Sequence, residues 1–392
     1  MRIRSIKKIT GFLVLLLLLS TGVGLKAQPV HPYGWPLGSR NQLSIYSPLA
    51  TAAGETILSQ PGPQAAFLNP GLPGLTDDFR LAISGRMIIA STGNPYNYAD
   101  GWTTYSRKTL NPDFFGLTLK VGSWRIGLGY SLMEEYNRPE ILNYYDSRTQ
   151  DGKLHALQFG ISRRVNNHFS LGLSFNYRTG KLRHLDHYDF SSKDVDYQVN
   201  LNGFNLQVGL VWEMNKTLTL ALVIRPAYRM KVDEKIEERS SETGFVSNSS
   251  QFNIYFRFPL ALTLSSQIKI SENLNLYSDV SYWNWKQFSG GSEFLDGHIY
   301  TWPQGHDDIK FSAGLDYAWN LADTKILRLA AGYIHDPYES AYTNINDYLT
   351  CGLALDLKKF GLEGSVKLPL AKLRDSFSIN SSAFQLGFNF RF

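Results

Sequence analysis

The chain has 392 residues, with 22 Tyr and 23 Phe, only 19% charged residues and a formal net charge of +5. Soluble domains carry about 25% charged residues, and a mean hydropathy of −0.21 is too low for a bundle of membrane helices. Basic residues are scattered among acids with no dense run after Lys8, so no nucleic-acid partner is expected. The single cysteine, Cys351, excludes an intrachain disulfide and a CxxC metal site.

The N-terminus sets the compartment. Arg2, Arg4, Lys7 and Lys8 precede an apolar run from Gly11 to Ser20, and Leu25-Lys26-Ala27 ends on a small residue. This is the pattern of an export signal, so residues 1–27 are expected to be removed, leaving Gln28 as the first residue. The run is too short to cross a bilayer as a helix, which takes about 20 apolar residues. No cysteine stands at the cleavage point, so no lipid anchor is expected there.

Residues 28–78 are rich in Pro, Gly, Ala and Ser and hold no two-residue rhythm. Such a stretch is a linker or a small unit packed on something larger. The rhythm begins at Phe79. Phe169, Leu171, Leu173, Phe175 and Tyr177 alternate with Ser170, Gly172, Ser174, Asn176 and Arg178. Phe252, Ile254, Phe256, Phe258, Leu260, Leu262 and Leu264 share one parity, as do Leu349, Cys351, Leu353, Leu355 and Leu357. Phe384, Leu386, Phe388, Phe390 and Phe392 close the chain in the same way. Side chains of a strand alternate faces, so each segment has one greasy side and one polar side.

About fourteen such strands are predicted, each about 10 residues or longer, as a tilted membrane strand requires. They span 79–91, 112–121, 124–136, 154–165, 168–180, 198–214, 217–233, 251–270, 272–289, 307–320, 326–336, 347–358, 360–371 and 381–392. Short connections at 122–123, 166–167, 215–216, 271, 320–325 and 359 alternate with long ones at 92–111, 137–153, 181–197, 234–250, 290–306, 337–346 and 372–380. Short periplasmic turns and long outer loops describe an all-β, antiparallel transmembrane barrel over residues 79–392, in the bacterial outer membrane with outer-membrane lipid around it. Both termini then lie on the periplasmic side, which demands an even number of strands.

Breaks in the rhythm mark irregularities. Near Asn202-Gly203 the apolar parity flips, as a β-bulge would make it. Pro226 and Pro259 each remove a ladder donor and predict kinks or gaps in the wall. With the apolar parity toward lipid, the lumen is expected to hold Arg178, Arg257, Asp279, Lys310, Asp316, Arg328, Asp356, Glu363, Lys367, Asn389 and Arg391. Both signs occur in similar number, so these groups either pair with one another and the N-terminal segment or line a path for a polar solute. A strongly ion-selective pore would need one dominant sign.

No HExxH, GxSxG or P-loop is present, and no convergent set of nucleophile and base stands out, so no enzymatic activity and no cofactor are expected. His184 and His187 fall in a predicted loop beside Asp186 and Asp189, where a solvated loop is favoured over a metal site. Tyr96, Tyr98, Trp102, Tyr105, Ile141, Tyr144 and Tyr145, in or beside the outer loops, are candidates for contact with a hydrophobic solute. Aromatics near strand ends also form the interface girdle.

Three stretches carry a family likeness. They are Ala65-Ala66-Phe67-Leu68-Asn69-Pro70-Gly71-Leu72; Phe258 to Leu264 followed by Asn273 to Trp285; and Leu327 to Tyr333 followed by Asp336-Pro337. In their order they resemble the FadL-like family of outer-membrane transporters for long-chain fatty acids and other hydrophobic compounds. The first stretch resembles the family's Asn-Pro-Ala segment, with Gly71 where the family has Ala. The resemblance implies a 14-stranded barrel with residues 28–78 as a hatch in its lumen, gated around Asn69, Pro70 and Gly71. It also implies sideways exit of the solute through a kinked third strand, where Gly127 and Gly129 are the candidate kink. Phe388, Phe390 and Phe392 resemble the C-terminal signal read by the barrel-assembly machinery. The alternative within the same fold is a PorV-like adaptor that binds a secretion-system protein partner and transports nothing. A general diffusion porin is the third reading.

Overall fold

A computed structural model of the chain describes residues 47–59, 62–75, 79–94, 103–135, 138–142, 146–188, 191–287, 289–293, 299–301, 308–336, 347–370 and 379–392. The expected export signal, 1–27, and residues 28–46 lie outside the described residues.

Alternating sequence becomes alternating wall. The strand segments form fourteen staves. These are β1 (Arg80–Asn94), β2 (Thr103–Val121), β3 (Trp124–Glu135, then Arg138–Leu142), β4 (Asp146–Arg164), β5 (Phe169–Tyr188), β6 (Lys193–Glu213) and β7 (Leu218–Arg225, then Tyr228–Ser240). The circuit continues with β8 (Val246–Phe258, then Ala261–Lys269), β9 (Leu274–Trp283, then Ser289–Glu293), β10 (Ile299–Thr301, then Asp308–Ala322), β11 (Lys325–His335), β12 (Asp347–Leu357), β13 (Phe360–Pro369) and β14 (Ile379–Arg391). All neighbours are antiparallel, and β1 pairs β14 from Arg80↔Arg391 to Thr92↔Ile379, so the sheet closes with no free edge. Closure removes the edge strands whose donors would otherwise face hydrocarbon unpaired.

The short turns carry their own chemistry. Asn215 Oδ1 accepts from the amides of Thr217 at 2.8 Å and Leu218 at 2.9 Å, and Asn166 Oδ1 from His168 at 2.8 Å. These Asx contacts replace backbone bonds lost at a tight reversal. On the other side the strands run further than predicted. Residues expected as loops at 146–153, 181–188, 193–197, 234–240 and 246–250 belong to β4, β5, β6, β7 and β8. Their polarity reflects a wall that rises above the membrane with water outside it. His184 and His187 therefore lie in β5, bonded to Asp186 at 2.7 Å and Asp194 at 2.6 Å.

Residues 47–59 and 62–75 are folded inside the barrel. Ser47 caps helix α1 (Pro48–Ala52), and α2 (Ala65–Leu68) follows, each succeeded by a short 3-10 turn. Leu49, Ala52, Ala53 and Leu58 pack on the inward-facing Val211, Ala221, Tyr277, Ala330 and Ala354. Ala66 and Phe67 pack on Ala82 and Phe114.

Candidate functional site

Two lumen acids of the wall, Glu363 and Asp279, hold this inner segment. Glu363 accepts from Ser47 Oγ at 2.9 Å and from the Leu49 amide at 3.2 Å, at the start of α1. Asp279 accepts from the Ile57 amide at 2.7 Å. Asp316 is paired with Arg328 on the neighbouring stave, at 3.2 Å from its Nε. Glu55 lies between Lys310 at 2.8 Å and Lys367 at 3.1 Å, and Lys310 also faces Asp336 at 3.3 Å. Burial would push the Glu55 carboxyl up, but the two ammonium groups outweigh it and hold it well below the usual carboxylate range.

Asn69, Pro70 and Gly71 sit where the inner segment touches β5 and β6. Asn69 Oδ1 accepts from the Gly71 amide at 2.9 Å, and its Nδ2 donates to the Leu210 carbonyl at 3.3 Å. Ser170 Oγ donates to the Gly71 carbonyl at 2.7 Å. The approach requires glycine in the wall: a Cβ on Gly172 would stand 1.8 Å from the Pro70 carbonyl oxygen. Gly127 and Gly129 serve the same end on β3, where a Cβ on Gly129 would meet the Phe67 ring at 2.6 Å. Both remain in regular ladders with β2 and β4, so the irregularity of β3 lies elsewhere.

Above the inner segment the lumen becomes greasy. Met133, Leu154, Ala156, Leu182, Val199, Leu201, Tyr228, Met230, Val232, Phe252, Phe256, Phe258, Ala261 and Trp283 form one buried cluster contributed by β3 to β9. Tyr228 stacks on Phe258 with centroids 4.9 Å apart and planes 8° apart. At the base of this chamber the side chains turn polar. The Arg178 guanidinium lies 4.9 Å from the Tyr228 ring centroid and donates to its hydroxyl. Arg225 donates to Gln207 Oε1 at 3.3 Å, and Gln207 donates to the Phe67 and Leu68 carbonyls. Asn205 is buried with neither amide atom hydrogen-bonded, an unusual cost for a polar group.

The chamber corrects two expectations. Arg257 is exposed on the outer face, while Phe252, Phe256 and Phe258 point inward. The reason is a reversal of parity at Pro259 and Leu260, which join no ladder, so that Ala261 and Thr263 face inward below them. Pro226 and Ala227 do the same in β7, and at the corresponding point β9 leaves the ladder through a 3-10 turn, Trp285–Gln287. By contrast, no bulge lies at Asn202-Gly203, because the β5–β6 register runs unbroken through it. There the surroundings change rather than the strand: Val199 and Leu201 face the greasy chamber, and Phe204, beyond the flip, faces outward.

The wall is also broken beside Met133. The β2–β3 ladder ends at Phe114↔Ser131, and β3 bulges against β4 between Leu132 and Glu134. Beyond that point side chains bridge the two staves. Thr109 Oγ1 and Asn111 Nδ2 donate to Glu135 Oε2 at 2.8 and 2.7 Å, and Lys153 donates to Asn111.

Of the predicted solute contacts, Tyr96, Tyr98, Trp102, Tyr144 and Tyr145 lie outside the described residues, and only the backbones of Tyr105 and Ile141 are described, in β2 and β3. Phe388 and Phe390 pack against Phe360 at 6.0 and 5.3 Å, and Phe392 against Phe79 at 5.1 Å. Arg178 was expected in the lumen, but Met133, Tyr228, Phe258 and Trp283 were not singled out as site residues by sequence reasoning. The reversed parity of Val199 and Leu201 was the signal that could have found them.

Comparison with known proteins agrees with this architecture. The family described as "Outer membrane protein transport protein (OMPP1/FadL/TodX)" matches residues 123–349. Among solved structures, a Pseudomonas aeruginosa FadL homologue aligns with a TM-score of 0.66 at 13% identity, over 89% of this chain and 98% of that one. The Pseudomonas putida toluene transporter TodX aligns at 0.66 and 14% identity, over 89% of this chain and 98% of that one. The Ralstonia pickettii toluene transporter TbuX aligns at 0.64 and 12% identity, over 90% and 99%. No curated protein matches in sequence. The chain belongs to the OMPP1/FadL/TodX family of outer-membrane transport proteins, which are transporters and channels rather than enzymes.

Proposed function

We propose that this protein carries long-chain fatty acids, or amphipathic solutes like them, inward across the outer membrane and releases them sideways between β2 and β3. The observation that carries the reading is the continuity of the buried apolar chamber with Met133, beside the point where the β2–β3 ladder stops. A greasy solute leaving there never has to dissolve in water. The six aromatics Tyr96, Tyr98, Trp102, Tyr105, Tyr144 and Tyr145, with Ile141, would collect it first. Arg178 and Arg225 at the chamber base favour a solute with an acidic head over a bare hydrocarbon. The inner segment acts as the hatch, with Asn69, Pro70 and Gly71 as its hinge against β5 and β6.

The test is uptake of labelled oleate and of toluene by cells whose own transporter is deleted and replaced by this chain. In a Cys351→Ser background, Thr109→Cys with Glu135→Cys, joined by a bifunctional thiol reagent, is expected to abolish oleate uptake. Uptake unchanged by the crosslink would overturn sideways exit. Absence of uptake by the uncrosslinked protein would favour the adaptor reading instead.

A further inference from the structure

The outward face of β7 and β8 holds two arginines in an arrangement that costs energy as it stands. Arg229 and Arg257 are directly opposed across the ladder, and both are exposed on the outer surface. Like charges directly opposite each other destabilise a sheet, since their Cβ atoms stand about 5 Å apart. Among the described residues neither guanidinium has a carboxylate to offset this. Lys231 follows on the same face and is paired with Asp233 at 2.9 Å. Lys181 of β5 is exposed on the same outer face, level with Asn200 and Asp233.

Height identifies what this row meets. Arg229 lies about a dozen residues from the start of β7, and Arg257 about as far from the end of β8, which at 3.3 Å per residue and a 45° tilt is about 28 Å above the periplasmic turns. The apolar band of such a barrel is about 25 Å tall. The pair therefore stands level with the head groups of the outer leaflet. Below and beside it the same face is apolar, with Phe204 and Leu264 exposed to lipid.

We propose that Arg229 and Arg257 form a binding site for the phosphate of an outer-leaflet glycolipid, lipopolysaccharide, whose acyl chains lie against the apolar face below. A phosphate set between two guanidinium forks accepts bidentate, charge-assisted bonds from both and turns the repulsion into a bridge. The site flanks the level at which β7, β8 and β9 are all interrupted, so the bound lipid braces the wall where its ladder is weakest.

The test uses the full-length protein in nanodiscs, with native mass spectrometry counting retained lipopolysaccharide. Wild type is expected to retain it, and Arg229→Gln/Arg257→Gln to hold it about ten- to a hundredfold more weakly. Arg229→Lys/Arg257→Lys keeps the charge but loses the forks, and should bind more weakly than wild type yet better than the Gln pair. Heat-modifiable migration checks that each variant is assembled, and the single Arg257→Gln variant serves if the double one is not. Enzymatically dephosphorylated lipopolysaccharide should bind wild type as weakly as the intact lipid binds the double variant. Equal retention by wild type and the Gln variants, or indifference to dephosphorylation, would overturn the site. Displacement of the lipid by millimolar inorganic phosphate would also overturn it, by marking a free-ion site.

Discussion

The Glu55 clamp yields a magnitude that can be checked. Replacing Glu55 by Gln removes the charge shared by Lys310 and Lys367 inside the barrel. Removing one partner of a buried ion pair costs about 3–5 kcal/mol. Here Lys310 keeps Asp336 at 3.3 Å, and Lys367 keeps the face of Tyr348 at 4.3 Å, which argues for the low end, about 3 kcal/mol. At 1.4 kcal/mol per decade the undocked population of the inner segment rises about a hundredfold. The readout is amide hydrogen exchange at Gly54 and Glu55, whose amides bond to Thr350 Oγ1 at 3.2 Å and to the Ala50 carbonyl at 2.9 Å. Their protection should fall by the same factor, and substituting Met for both lysines as well should restore much of it. Because the carboxyl is lowered on docking, its stabilisation is complete above the unfolded value of about 4.3 and is lost as pH falls below it. Protection within twofold of wild type in the single variant would refute the clamp.

Other consequences follow from the same geometry. Gly172→Ala puts a methyl into the Pro70 carbonyl and should loosen residues 69–75 by about 1–3 kcal/mol, measured by exchange of their amides. Phe258→Ala removes the ring stacked on Tyr228 and should weaken binding of a fluorescent fatty acid about tenfold, with the barrel still heat-modifiable. Phe392→Asp breaks the ring contact with Phe79 beside the β1–β14 seam and alters the proposed assembly signal. It should stop insertion, and a normally heat-modifiable barrel in that variant would contradict this.

The strand number, the turn positions and the lipid face of most staves were legible because a strand's two-residue period is local, and the lipid-facing side of a membrane wall must be apolar over its whole height. The same rule placed Arg257 inside and read a bulge at Asn202-Gly203. It takes apolar parity to mean lipid, which holds only while the lumen is wet. Toward the outer ends of β4 to β8 the outward face turns polar and the chamber within is greasy, so the sign reverses along an unbroken β5 and β6. Nothing local could pair Glu55 with Lys310 and Lys367, which are more than two hundred residues away in the chain.

What the sequence determined alone was a cylinder: alternation, turn spacing and an even count of staves all follow from contacts between near neighbours. Closure of that cylinder decided the rest. Only when β1 meets β14 do inward side chains from distant strands converge, and only then do an occupied base and an apolar chamber exist. These are properties of an enclosed volume, and a one-dimensional rhythm carries no information about which residues will share it.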